Sequence, residues 1–177
     1  MGLNISVDLN FRPKLWQYGK RPVEVMPDLV RHADLIMGNM WSVEELLGIP
    51  AGIGSSQDKT DEELQMAAVQ STAAVLKAYE RASRVVYTFR LPDRYFACSA
   101  TRNGFEVSGK VPVKMVVDRA GSGDCFLAGL LYGIRNGLNT RQQLDLAATA
   151  AVHKMQEKGE YTKQSIELLL EQAGIKH

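Results

Sequence analysis

The stretch Val116-Val117-Asp118-Arg119-Ala120-Gly121-Ser122-Gly123-Asp124-Cys125-Phe126 decides the fold of this chain. The apolar run over residues 111–117 reads as a buried strand. Two glycines and an acid follow, and then Phe126, Leu127, Leu130, Leu131 and Ile134 repeat at helical spacing. A strand that ends in a glycine-rich turn at a helix N-terminus makes an anion site. Glycines admit close backbone approach, while unpaired N–H groups and the helix dipole attract negative charge. Asp124 would repel that anion. Its presence makes chemical sense if the carboxylate acts on a neighbouring hydroxyl while backbone amides hold a phosphoryl group in transfer.

Outward from this turn, strands and helices alternate. Residues 5–9 form a short strand, and Pro27-Asp28 open a short helix with proline in its first turn. Residues 35–38 are a second strand, followed by a helix that Ser42 caps and Gly48 ends. Residues 51–59 read as an exposed polar loop. Asp61 opens a long helix with Leu64, Ala67, Ala68, Val75 and Ala78 on one face. Residues 84–89 are the third main strand, and Asn103-Gly104 marks a hairpin between strands at 95–100 and 104–107. Behind the glycine turn come three helices. The first ends at Gly137. The second runs from Thr140, with Gln143 completing a capping box, to Gly159. The third lies between Thr162 and Gly174. Such alternation predicts an α/β fold with a mostly parallel sheet. No repeat or linker interrupts residues 1–177, which read as one domain.

The string VVDRAGSGDCFLAGLLYGI (residues 116–134) resembles the C-terminal signature of the ribokinase-like (PfkB) sugar kinases, D-x-x-G-A-G-D-x-F with a small-residue helix behind it. The Asp118-Arg119 pair resembles one branch of that family, the 2-keto-3-deoxygluconate kinases. Three further segments resemble the same branch: ISVDLNFRPKLW at 5–16, ADLIMGNMWSVEELLGI at 33–49 and VVYTFR at 85–90. Order and spacing match over almost the whole chain, but over only part of the family's usual length. The resemblance implies a ribokinase-like fold whose N-terminal part and lid lie outside this sequence. It also implies an ATP-dependent carbohydrate kinase, phosphorylating 2-keto-3-deoxygluconate to its 6-phosphate. Alternatives are another sugar kinase, such as a fructokinase or ribokinase, and a nucleotide-binding fragment without catalysis.

Composition sets bounds. Hydrophobic content of 45% and charged content of 23% are those of an ordinary globular protein, and 177 residues suffice for a sizeable core. A formal net charge of +1 gives no electrostatic reason to expect nucleic acid or an anionic membrane as partner. Cys98 and Cys125, far apart in sequence, read as reduced thiols of a cytoplasmic protein. Three scattered histidines lack metal-ligand spacing. Met1-Gly2-Leu3-Asn4-Ile5-Ser6 fits a myristoylation pattern formally, but the motif is short and the favoured reading is that residues 4–9 are simply the first strand.

The resemblance assigns roles residue by residue. Asp124 becomes the general base that takes the proton of the attacking sugar hydroxyl; read alone, it is also a plain helix-capping aspartate. Gly121, Ser122 and Gly123 become an anion hole of backbone N–H groups for the phosphoryl group. A dinucleotide fingerprint is excluded, since its third glycine would fall on Phe126, and no P-loop motif occurs. Arg12 closes a D-x-N-x-R strand end and becomes a contact to the sugar acid or phosphate, for which guanidinium offers a bidentate fork; the other reading is a surface arginine. Asn10, Asn39, Thr88 and Arg90 fall on the nucleotide side. So does Ala148, if the small-residue run at 147–151 borders an adenine pocket rather than packing helices. Gly129 and Gly133 read as points of close helix–sheet approach.

The family's N-x-x-E element is incomplete here. Its fourth position is Ser42, with acids at Glu44 and Glu45, so Asn39 carries over and the glutamate does not. The metal ligands are therefore left unassigned, while Mg²⁺ accompanies ATP as phosphoryl transfer requires, with a monovalent cation as a further option. Without upstream neighbours, the strand at 5–9 becomes an open edge, which favours self-association.

Overall fold

The computed structural model describes residues 3–175; Met1 and Gly2 of the myristoylation-like pattern lie outside them. Six strands form one mixed sheet: β1 (Ser6–Asp8), β2 (Leu35–Gly38), β3 (Arg84–Arg90), β4 (Arg94–Thr101), β5 (Gly104–Val107) and β6 (Val111–Pro112). Their order is β1-β2-β3-β4-β5, with β6 beside β4. The helices are α1 (Met26–Val30), α2 (Met40–Leu47), α3 (Asp61–Ala78), α4 (Ser122–Arg135), α5 (Thr140–Met155) and α6 (Ile166–Gln172). Contacts divide the chain into two compact units. One holds the residues up to Thr88 with Cys98–Phe105; the other holds Phe89–Ala97 and the residues from Glu106 on.

In the first unit β1, β2 and the start of β3 run parallel, with Asp8 opposite Met37 and Gly38 opposite Tyr87. Every residue of β2 is buried, as a strand covered on both faces requires. A Cβ on Gly38 would stand 2.9 Å from that of Leu9, so glycine there lets the ends of β1 and β2 close up. The Thr60 hydroxyl and Glu63 carboxylate form a reciprocal capping box at the start of α3. That helix buries Leu64, Ala67, Ala68 and Val75 as its periodicity predicts, whereas Ala78 is exposed in its last turn. The Ser71 hydroxyl meets the Tyr87 hydroxyl at 2.9 Å in the interior, joining α3 to β3. The 103–104 hairpin forms, yet Gly104 takes no positive φ. Arg102 holds the turn instead, donating to the carbonyls of Leu76, Glu80 and Ala82 at the end of α3.

In the second unit Phe89 stacks on Phe96 with centroids 4.6 Å apart, and Tyr95 tilts against Phe126. Helices α4 and α5 press together. A Cβ on Gly129 would lie 3.0 Å from Ala147 Cα, and one on Gly133 would lie 3.0 Å from Gln143 Cγ. The two glycines thus serve helix–helix contact, not the helix–sheet approach that their spacing suggested. On α5, Leu146 and Ala150 pack with Leu169, Leu170 and Ile175 of the α6 region.

Four local expectations need correction. The run at 111–117 is not a buried strand: β6 has two residues, and Met115, Val116 and Val117 are 59, 40 and 51% exposed. The N–H groups of Val117 and Asp118 donate to Met155 O at the end of α5, so this segment is tied to a helix rather than to a strand. Asn39, not Ser42, caps α2, its Oδ1 accepting from Ser42 N at 2.9 Å. At α5, Asn139 and Gln142 form the capping box, while Gln143 turns back to Leu138 O. Finally, α5 stops at Met155, well before Gly159.

Candidate active site

The first unit carries Asn10, Arg12, Asn39 and Thr88, all at or just beyond the C-terminal ends of three adjacent parallel strands. Open parallel sheets bind ligands at that end. Leu9 N donates to Met37 O at 2.7 Å and Leu9 is buried, so the chain leaves β1 anchored before Asn10 emerges exposed. Arg12 is exposed in extended backbone (φ −129°) before a single 3-10 turn, and its guanidinium has no hydrogen-bond partner among the described residues. Asn39 is half-buried and its Oδ1 is taken by Ser42 N. Thr88 Oγ1 reaches back to Gly38 O at 3.4 Å.

The acids of α2 are solvated and locally engaged. Glu44 Oε2 accepts from Ala51 N at 3.3 Å, closing the helix onto the following loop. Among the described residues no group of three or more His, Cys, Asp or Glu side chains is placed to hold a metal ion.

The second unit carries Arg90, Gly121, Ser122, Gly123, Asp124 and Ala148. Gly121 is the N-cap of α4 in left-handed backbone, φ 73°. A Cβ there would overlap the Glu160 carbonyl, so the position requires glycine twice over. Ser122 departs from its expected role. Its N–H donates to Arg119 O at 3.3 Å, its buried Oγ donates to the same carbonyl at 2.9 Å, and the amide is therefore spent within the turn. The first-turn N–H groups of Gly123 and Asp124 precede any helical acceptor and point along the positive end of the α4 dipole. Asp124 is exposed in that first turn. Arg90 is exposed at the end of β3. Ala148 is 0% exposed within α5, where close helix packing leaves it no surface for a nucleotide.

Sequence reasoning missed the clasp that holds the glycine turn. Asp118 Oδ1 accepts from Ala120 N at 3.0 Å and Oδ2 from Gly159 N at 3.1 Å. Those two N–H groups, with Lys154 and Lys158 nearby, hold the carboxyl below the usual aspartate range. Lys154, 0% exposed, donates from Nζ to the carbonyls of Asp118 at 3.2 Å and Glu157 at 3.0 Å. Glu157 in turn accepts from Lys163 N and Gln164 Nε2, which lowers its pKa as well. The available signal was a lysine inside the apolar helix LAATAAVHKM (residues 146–155). Burial raises the Cys125 thiol and pushes that of Cys98 up to about 12, so both are unpaired, inert packing residues.

The model of the pfkB family of carbohydrate kinases matches residues 3–167. No curated protein matches the sequence. Among solved structures, the chain is similar to the 2-dehydro-3-deoxygluconokinase of Thermotoga maritima (24% identity, TM-score 0.79), covering 97% of this chain and 50% of that one. It is similar to a PfkB family carbohydrate kinase of Listeria grayi (21%, 0.75), covering 98% and 51%. A fructokinase with bound ATP from Xylella fastidiosa (20%, 0.67) is covered over 53% of its length by 98% of this chain. These likenesses establish the ribokinase-like fold, and the chain spans about half the length of the structures it matches. No helix among the described residues is long and apolar enough to cross a membrane.

Proposed function

Since the chain belongs to the pfkB family of carbohydrate kinases, we propose that it forms the ATP-side portion of an enzyme that phosphorylates a sugar-acid hydroxyl. The acceptor in this reading is 2-keto-3-deoxygluconate, and the products are its 6-phosphate and ADP. The sugar oxygen bonds to the γ-phosphorus of Mg²⁺·ATP, the bond from that phosphorus to the β,γ-bridging oxygen breaks, and Asp124 takes the hydroxyl proton. The amides of Gly123 and Asp124 stabilise the transferring group. Arg12 contacts the sugar acid, while Asn10, Asn39, Thr88 and Arg90 serve the nucleotide.

One observation carries this reading: an exposed carboxylate sits in the first turn of a helix whose N-cap is a left-handed glycine. A base is needed beside an anion-stabilising turn, and this element supplies both. The name of the Thermotoga neighbour and the Asp118-Arg119 pair support the sugar acid as acceptor. The same turn would serve a fructokinase or ribokinase. A soluble, cytoplasmic enzyme suits the buried free thiols. The open edge of β1 supports self-association, with a second copy as the partner.

The deciding experiment is ATP-dependent phosphorylation of 2-keto-3-deoxygluconate, fructose and ribose. It is run with this chain alone and with the complementary half of a pfkB fold supplied. Turnover of the sugar acid in preference to the two neutral sugars is the expected result. Nucleotide binding with no turnover of any sugar in either format would make the chain a binding fragment.

A further inference from the structure

The side of α3 that faces away from the core carries one continuous stripe. Glu62, Met66, Val69, Gln70, Ala73 and Lys77 are all exposed, and at 3.6 residues per turn they fall on a single face of the helix. Its centre is apolar, with Met66 67% and Val69 45% exposed. Its ends are charged and unspent: Glu62 and Lys77 make no ion pair among the described residues, since the neighbouring Glu63 is the acid that caps the helix and meets Lys59. Beside the stripe lies a shallow groove of about 330 Å³, lined by Ala73, Leu76, Lys77, Thr101 and Arg102. One wall of it is fixed, because the Arg102 guanidinium donates to the carbonyls of Leu76, Glu80 and Ala82.

We propose that this face of α3 is a docking surface for α3 of a second copy, paired antiparallel about a two-fold axis that passes between Val69 and Gln70. One register then satisfies every member of the stripe. Glu62 faces Lys77 of the partner subunit, Met66 faces Ala73 of the partner subunit, and Val69 faces Gln70 of the partner subunit. The charged ends neutralise each other, the two helix dipoles oppose, and the longest apolar side chain meets the smallest. Met66 thereby enters the groove beside Ala73 of the partner subunit. A single helix face is smaller than the standard interface of about 1,600 Å², so the pair is weak and exchanging. Strand addition at β1 uses other residues and extends an assembly, whereas this contact closes at two copies. The inference stands independently of the substrate assigned above.

The test is disulfide trapping on the purified chain in a glutathione redox buffer, with circular dichroism to show that each variant is folded. Cys98 and Cys125 are buried and give a silent background. Val69→Cys sets two thiols beside the axis and is expected to give a covalent dimer. Lys77→Cys sets them roughly 22 Å apart along the helices, fifteen residues at 1.5 Å each, and is expected to stay monomeric. Mixing Glu62→Cys with Lys77→Cys is expected to link the two variants to each other. A folded Val69→Cys that stays monomeric overturns the proposal, and so does trapping of Lys77→Cys alone to the same extent as Val69→Cys. Charge gives the second reading. Added to Val69→Cys, Glu62→Lys is expected to cut trapping by about fivefold, and Glu62→Lys with Lys77→Glu to restore it. No change in the first, or no recovery in the second, overturns the antiparallel pairing.

Discussion

The α-carbon of Gly121 lies directly against the backbone carbonyl of Glu160. The residue that opens α4 therefore also fixes how closely the loop after α5 approaches the turn. Gly121→Ala must both adopt φ 73° and displace the 160 carbonyl. Strained backbone alone costs about 1–3 kcal/mol, so the variant is expected to melt several degrees lower. Gly129→Ala is the comparison: its Cβ would meet Ala147 Cα at 3.0 Å in ordinary helical backbone, and a smaller loss is expected. Equal melting temperatures for Gly121→Ala and the native chain would contradict the packing at Glu160.

Asp124→Asn keeps the size of the side chain and removes its capacity to accept a proton. With the complementary half supplied, turnover is expected to fall by ~10²–10⁴-fold with the melting temperature unchanged, the range of a positioned general base. Near-native turnover would leave Asp124 as a first-turn acid that serves only the α4 dipole.

Arg12→Lys preserves charge but not the planar fork. Because the guanidinium has no partner among the described residues, folding stability should be unaffected while KM for the sugar acid rises. Unchanged KM and kcat would make Arg12 a surface residue.

The clasp around Asp118 predicts an acid limb. Its carboxyl is held below the ordinary 3.8 and that of Glu157 below 4.5. Their contribution is complete above those ordinary values and is lost as pH falls through the lowered native ones. Burial holds His153 below 6.5. The unfolded chain therefore takes up that proton first, and stability starts to decline once pH drops below 6.5. Asp118→Asn should lower stability at neutral pH and make the loss below pH ~4 shallower. Denaturant midpoints from neutral to acid pH measure both effects, and parallel curves for the two proteins would rule out the clasp as their origin.

The outer edge of β1 has no strand beside it among the described residues, and Ile5 next to it is 41% exposed. Concentration-dependent self-association is expected in sedimentation. Ile5→Lys should suppress it, since an edge lysine opposes strand addition. A monomer at every concentration would remove the edge as an interface.

Much of this architecture was legible because local chemistry and tertiary packing agree. β2 came through as residues 35–38 and α3 as the long helix that Asp61 opens. At the glycine turn, Gly121 and Asp124 were legible because only a small set of residues suits a left-handed N-cap followed by an acid. Two of the failures share a cause, which is partners distant in sequence. Apolar Val116 and Val117 read as strand, but their segment is held by Met155 O. The Asn103-Gly104 pair located the hairpin, but it could not reveal that Arg102 donates to three carbonyls in the last turn of α3 and the segment after it.

The shortness of β1 sets a rate as well as a shape. Three residues paired on one side make it the part of the parallel ladder that opens most readily, at far less than the cost of global unfolding. Asn10 and Arg12 hang from this strand, so they are aligned only while it is docked. Whatever that arm grips will show an apparent affinity discounted by the docked fraction. A neighbour that completed the ladder beyond β1 would tighten that grip without touching the ligand.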